Sequence, residues 1–259
     1  MRLSTTTTDF RCSMANVDMT VLFENFGMMG WKSGNRYTYA EGSPVTNLFM
    51  NLKYLIARDN IYMNTYDLTE VYGVGNVKLL QNNHYLPMGF MTNSALASWQ
   101  VDENEDQFNP FDKQNEFFKL ATGIKDDVYT PLDVVSQGHT DYNQFPVNKT
   151  GYGRYSFSCN DTTVTPHVKW NYEAPKDGLY LMYADISGGD DVTVMINDVA
   201  QSKTYGMGRS YIACIGQCKK GDKISVYSNL QQGQSGSAMV FVDVLNQNVF
   251  EEGYNKLSK

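Results

Sequence analysis

The strongest periodicity in the chain lies between Asn109 and Ile124. Phe117, Leu120, Ala121 and Ile124 recur at i, i+3, i+4 and i+7, with Phe111 and Phe118 beside them. That is the stripe of a helix covering an apolar surface. Asn109 supplies an N-cap oxygen and Pro110 sits at N1, where no backbone donor is needed. Asp112 falls in the first turn and Gly123 offers the left-handed exit. Nothing in this helix is chemically reactive, so it is predicted to be a docking element. A shorter stripe at Val45, Leu48, Phe49 and Leu52 follows Ser43-Pro44, the same cap-then-proline device. It runs into KYLIAR (53–58), a compact apolar strand that ends at Asp59-Asn60. A helix feeding a strand makes the first half mixed α/β. Further upstream, Val17, Met19, Val21 and Phe23 alternate and predict a strand, followed by a turn-rich aromatic stretch over 26–42. Residues 77–81 and 86–91 flank Asn82-Asn83-His84-Tyr85 and predict a hairpin, with Pro87 forcing its second member to an edge. From Gly123 to about Gly151 there is little periodicity, and a loop is expected.

From Arg154 the pattern changes. Seven strand-like runs follow, namely RYSFSC (154–159), HVKWNY (167–172), GLYLMYADI (178–186), DVTVMINDV (191–199), SYIACIG (210–216), KISVYSN (223–229) and AMVFVDVLN (238–246). Turn signals such as Lys176-Asp177-Gly178 and Lys219-Lys220-Gly221-Asp222 separate them. Val192, Val194 and Ile196 alternate with Thr193, Met195 and Asn197, as half-buried antiparallel strands do. The predicted fold class is therefore α+β, a mixed α/β N-terminal part over residues 1–150 with a C-terminal antiparallel β-sandwich of jelly-roll type over 151–259.

Charge narrows the function. With 21 basic against 28 acidic residues, no basic face is easily assembled, and nucleic acid is not an expected partner. Charged residues make up only 19%, while 18 tyrosines and 21 glycines suit sheets joined by polar turns. No apolar run is long enough to cross a bilayer, and MRLSTTTTDFRC lacks the apolar core of a signal peptide. The expectation is a cytoplasmic protein or a piece of something larger. The thirteen methionines read as core filler. Cys12, Cys159, Cys214 and Cys218 fit no zinc spacing and are too sparse for a disulfide scaffold, so buried thiols are expected.

Candidate chemistry is thin. Asp102, Asn104 and Asp106 occupy calcium-loop positions, but Gln107 stands where glycine is needed and Lys113 where glutamate is needed, so a solvated acidic loop is expected. Asp185, Asp190 and Asp191 surround a glycine pair and read as turn residues. No metal and no cofactor are expected. Trp31, Trp99 and Trp170 are the natural platforms for sugar rings. Trp170 lies in an alternating strand and reads as core, whereas Trp99 beside the acidic loop is either a platform or buried under it. His84, His139 and His167 match no triad or metal signature and read as surface or turn residues. Gly-x-Ser-x-Gly does not occur, and no catalytic residue is assigned.

Three segments together resemble a known family. Lys53-Tyr54-Leu55-Ile56, then Leu86-Pro87-Met88-Gly89-Phe90, then Asn109-Pro110-Phe111 with Gln114-Asn115 and Thr122-Gly123, look like the extracytoplasmic part of the bacterial YfhO membrane-protein family. Motif-level similarity covers about residues 53–123, and GMMGWKSGN (27–35) and the later strands match more loosely. The resemblance implies a polytopic envelope protein of the GT-C glycosyltransferase type, which adds sugars from a lipid-linked donor to polymers such as lipoteichoic acid. It implies that this chain is the outward-facing domain of such a protein at the cell membrane. The partners it implies are the membrane-embedded remainder of its own parent chain and a cell-envelope glycan or polymer. The fragment would lack the catalytic acid and act as an accessory or glycan-positioning module, so whether to call it an enzyme stays uncertain. Glycan-contact candidates are then Trp99, Asp102, Gln114 and Asn115. The two amides either line a glycan groove or satisfy buried backbone groups. The alternative from another class is a free-standing carbohydrate-active enzyme, a glycoside hydrolase, or a carbohydrate-binding module.

Overall fold

A computed structural model describes residues 16–31, 36–58, 64–101, 108–139, 146–159, 161–205 and 210–259. Its first element is a helix, α1 (Val17–Asn25), where alternation predicted a strand. Asn16 caps it by accepting from the Asp18 N–H, and it buries Thr20, Phe23 and Asn25, with Thr20 and Phe23 spaced three apart. Val17 and Met19 are exposed, so the apparent period of two never had a second face to serve. A small ribbon of β1 (Met29–Trp31) and β2 (Arg36–Thr38) follows. Next comes α2 (Pro44–Phe49), capped by Ser43 as predicted. It ends before Leu52, because Asn51 turns into the left-handed region at φ 57°.

The KYLIAR strand is β3 (Tyr54–Arg58). It joins a three-stranded antiparallel sheet, ordered β3-β5-β4, with β4 (Leu68–Val74) and β5 (Val77–Asn82). The predicted hairpin thus has the wrong partner. β5 pairs back onto β4 through the two-residue turn Gly75-Asn76, with Gly75 at φ 60°, and the Pro87 segment forms no strand. A short 3-10 helix, Ser94–Ser98, leads towards α3 (Pro110–Thr122). That helix has the predicted Asn109 cap and Gly123 exit at φ 71°. Its buried face is rotated from the predicted stripe, comprising Phe111, Gln114, Asn115, Phe118, Ala121 and Thr122, while Phe117 and Leu120 lie at the margin.

The rest of the chain is mostly sheet. In order it forms β6 (Tyr129–Pro131), β7 (Ser136–His139), β8 (Val147–Gly151), β9 (Arg154–Phe157), β10 (His167–Glu173), β11 (Gly178–Ile186), β12 (Gly189–Ile196), β13 (Val199–Tyr205), β14 (Ile212–Cys218), β15 (Lys223–Leu230) and β16 (Gly236–Leu245). One sheet runs β13-β12-β15-β10-β7. The other runs β14-β11-β16-β9-β8, with β6 also along β16. Every pairing is antiparallel. The two sheets share one core, in which Val168, Trp170 and Tyr172 of β10 meet Tyr180 and Met182 of β11 and Val240 and Val242 of β16.

The second sheet is covered on its far side too. Leu179, Leu181 and Tyr183 of β11 and Phe241 of β16 pack against Val45, Leu48, Phe111 and Phe118 of α2 and α3. Burial on both faces is why GLYLMYADI shows no alternation. A last helix, α4 (Gln247–Leu257), lies in this helical layer and buries Val249, Phe250, Gly253 and Leu257. The layers cross the boundary expected near residue 150, since β6, β7 and β8 all pair with strands from the second half. The loop expected over 123–151 accordingly contains three short strands. Cys159, Cys214 and Cys218 are buried thiols, and burial pushes Cys218 up to about 12.

Candidate functional site

Gln114 and Asn115 sit where α3 meets the ends of α1 and α2 and the strand β6. Gln114 is fully buried. Its Oε1 accepts from Ser43 Oγ at 2.7 Å and its Nε2 donates to the Phe26 carbonyl at 2.6 Å, which pins the start of α2 and the end of α1 to α3. Asn115 makes a two-way pair with the Tyr129 backbone of β6. It donates through Nδ2 to the carbonyl at 3.1 Å and accepts from the N–H at 2.8 Å. Both amides are spent on internal partners and present no edge to a surface ligand. Their geometry removes Gln114 and Asn115 from the glycan-contact candidates.

Trp99 follows the 3-10 helix and is half-buried. Its ring stacks on Phe26 at 5.3 Å and meets Phe117 edge-on at 5.3 Å, bridging α1 and α3. Asp102 and the acidic loop lie outside the described residues, as do the Trp31, His139 and Asp190 side chains and Cys12. Trp170 is core. Among the described residues, no group of three or more His, Cys, Asp or Glu is arranged to hold a metal ion.

Among the described residues there is a polar constellation that the sequence did not reveal. Asp67, just before β4, is buried, and its Oδ2 accepts from Asn64 Nδ2 at 2.9 Å. Its Oδ1 lies 2.9 Å from His84 Nδ1, and the other ring nitrogen, Nε2, lies 3.0 Å from Glu251 Oε1 on α4. The Tyr66 hydroxyl donates to the same glutamate oxygen. Tyr66 stacks on the imidazole at 5.3 Å, while Phe250 and Tyr254 meet it edge-on at 5.2 and 5.0 Å. Burial on its own pulls the imidazole pKa down. The hydrogen bond and charge of Asp67, then those of Glu251, outweigh it, and the net direction is up. With a carboxylate at each ring nitrogen, the imidazolium is favoured and both N–H groups donate. A histidine held this way has no lone pair for a substrate proton, so the cluster works as a strap between the three-stranded sheet and α4. Asp67 and His84 stand 17 positions apart and Tyr66 and Glu251 stand 185 apart, so only the fold unites them.

One other ionisable group stands out. Asp243 of β16 is buried, and desolvation drives its carboxyl well above the ordinary range, with the charges of Asp112 and Asp127 adding to the effect.

Comparisons with known proteins bear on this arrangement. No curated protein matches the chain. Among solved structures, a family 35 carbohydrate-binding module from Clostridium thermocellum is similar at 14% identity, covering 45% of this chain and 96% of that one with a TM-score of 0.30. The catalytic domain of a GH87 alpha-1,3-glucanase in complex with nigerose is similar at 10% identity, covering 46% of this chain and 28% of that one, TM-score 0.27. An exo-beta-1,3-galactanase from Phanerochaete chrysosporium with galactose is similar at 12% identity, covering 46% of this chain and 30% of that one, TM-score 0.26. At these scores the likeness carries no functional argument, and the match spans less than a third of either enzyme. No helix among the described residues is long and apolar enough to cross a membrane. The bacterial membrane protein family YfhO matches residues 7–259, and the chain belongs to that family.

Proposed function

We propose that the chain is the extracytoplasmic domain of a polytopic YfhO-family membrane protein that glycosylates cell-envelope polymers of the lipoteichoic acid type. The observation that carries this reading is the family match over residues 7–259, combined with the lack of any membrane-crossing helix among the described residues. On this reading the domain is an accessory module that positions a glycan or acceptor polymer, and sugar transfer belongs to the membrane-embedded part of the parent chain. Support comes from the His84 constellation, the one among the described residues that looks catalytic, because both nitrogens of His84 are committed to carboxylates. Two sheets facing across one core support a sandwich of jelly-roll type as the rigid frame. Trp99, half-buried and next to the stretch containing Asp102, is the proposed platform for a sugar ring.

The test is to offer the purified chain lipoteichoic acid and a lipid-linked sugar donor, following binding by calorimetry and products by mass spectrometry. Saturable binding of the polymer without product is expected, weakened at least fivefold in Trp99→Ala and partly restored in Trp99→Phe. Turnover by the purified chain, or failure to bind any envelope polymer, would overturn the reading.

A further inference from the structure

The three-stranded sheet carries apolar side chains on both faces. Its inner face buries Ala57, Leu68 and Leu80. A small antiparallel sheet with only one covered face should be polar on the other. The register places Ile56, Leu79 and Tyr72 side by side on the opposite face, with Arg58, Val77 and Val74 as the next row. Ile56, Tyr72 and Val74 are 64%, 66% and 64% exposed. A contiguous apolar face of this kind marks a surface that something covers.

Charge indicates what covers it. The chain carries a net charge of −7, yet neither row contains a carboxylate. The charge in these rows is the cation Arg58. Glu70 of β4 belongs to the opposite face, where it pairs with Lys78 at 2.6 Å. At the end of β3, Lys53 stands over the rings of Tyr54 and Tyr85 at 5.4 and 4.8 Å. Tyrosine rings and basic side chains around an aliphatic patch are suited to the headgroup level of a bilayer. Anionic lipid attracts such cations and repels the carboxylate-bearing surface found elsewhere on the chain. The strap described above ties this sheet to α4, so the whole molecule would be held in one orientation.

We infer that the outer face of the β3-β5-β4 sheet rests on an anionic lipid bilayer. This rests on the proposed membrane-tethered reading and adds to it the contact surface. The experiment is flotation of the purified chain with vesicles containing phosphatidylglycerol or phosphatidylcholine alone. Three forms are compared, namely the unaltered chain, Ile56→Glu with Tyr72→Glu, and Val199→Glu. Val199 is an exposed position on β13, away from this sheet, and controls for added charge. The expected result is flotation with phosphatidylglycerol vesicles, at least tenfold less for the double variant, and no change for Val199→Glu. Circular dichroism and the melting temperature establish that each variant is folded. No flotation of the unaltered chain, an equal loss in Val199→Glu, or undiminished flotation of the double variant would overturn the inference. So would a dimer in sedimentation that the double variant abolishes, which assigns the face to a second copy. Membrane fractionation of the natural gene product reads the tethered reading separately, so the two fail independently.

Discussion

Gln114 offers the sharpest test of how α1 and α2 are held to α3. Replacing it with alanine removes the acceptor of Ser43 Oγ at 2.7 Å and the donor to the Phe26 carbonyl at 2.6 Å, both buried. Each lost bond costs about 1 kcal/mol net, and an orphaned buried group adds roughly 1–3 kcal/mol. Ser43 keeps a second role, since it also accepts from the Thr46 N–H at 3.2 Å, so the larger penalty falls on the carbonyl. The vacated volume adds a cavity cost. The sum is roughly 3–5 kcal/mol, which for a chain of this size lowers the melting temperature by roughly 6–20 °C. Gln114→Glu separates the hydrogen bonds from the volume. A protonated glutamic acid can donate to the Phe26 carbonyl, whereas a buried carboxylate repels it. Burial raises the folded pKa of the acid above its unfolded value, so the variant's stability is retained at low pH and falls as pH rises. The slope approaches at most about 1.4 kcal/mol per pH unit for one proton. Thermal unfolding of the three forms between pH 4 and 8 provides the assay. A melting temperature within 2 °C or so of wild type for Gln114→Ala, or a pH-independent penalty for Gln114→Glu, would refute the role assigned to this amide.

Other sites give sharp signs. Gly253→Ala would ordinarily stabilise a helix by about 1 kcal/mol, but here the new methyl runs into the Phe118 ring, so a loss of roughly 1–3 kcal/mol is expected and a gain in denaturation midpoint would contradict the α3–α4 packing. His84→Gln loses charged hydrogen bonds worth roughly 2 kcal/mol. Because the folded pKa of His84 is raised, its stabilisation is complete below about pH 6.5 and fades as pH climbs through the folded value, so the wild-type advantage should be larger at pH 6 than at pH 9; an equal difference at both would argue against the imidazolium. Asn109→Ala should cost about 1 kcal/mol through loss of the cap to the Phe111 N–H and of its 2.9 Å bond to Asp112, and an unmoved chemical denaturation curve would place the start of α3 elsewhere.

How much of this was legible follows from range. The cap-proline starts of α2 and α3 and the Gly123 exit are local devices, and they stood out in the letters. So did β9–β12 and β14–β16, whose apolar residues face either one core or two. Short elements did not, because β6, β7 and β8 owe their pairing to longer neighbours rather than to their own pattern. β13 (VAQSKTY) was missed for the same reason, as an edge strand with polar content. α4 left a readable trace in Val249, Phe250, Gly253 and Leu257, at i, i+1, i+4 and i+8, but followed a strong strand and was overlooked. The rotated face of α3 shows where apolar periodicity misleads, since two of its most buried positions are amides. The strap was illegible, as Glu251 reaches His84 only after the sheet and both layers have formed.

The reading of this chain as a water-facing domain on the outer side of a membrane has a direct test in cells. An epitope fused within the Gly75-Asn76 turn of the natural gene product would be followed during protease treatment of intact protoplasts and of lysed ones. Membrane-fraction recovery with cleavage in intact protoplasts is the predicted result. Protection until lysis, or recovery in the soluble fraction, would contradict it.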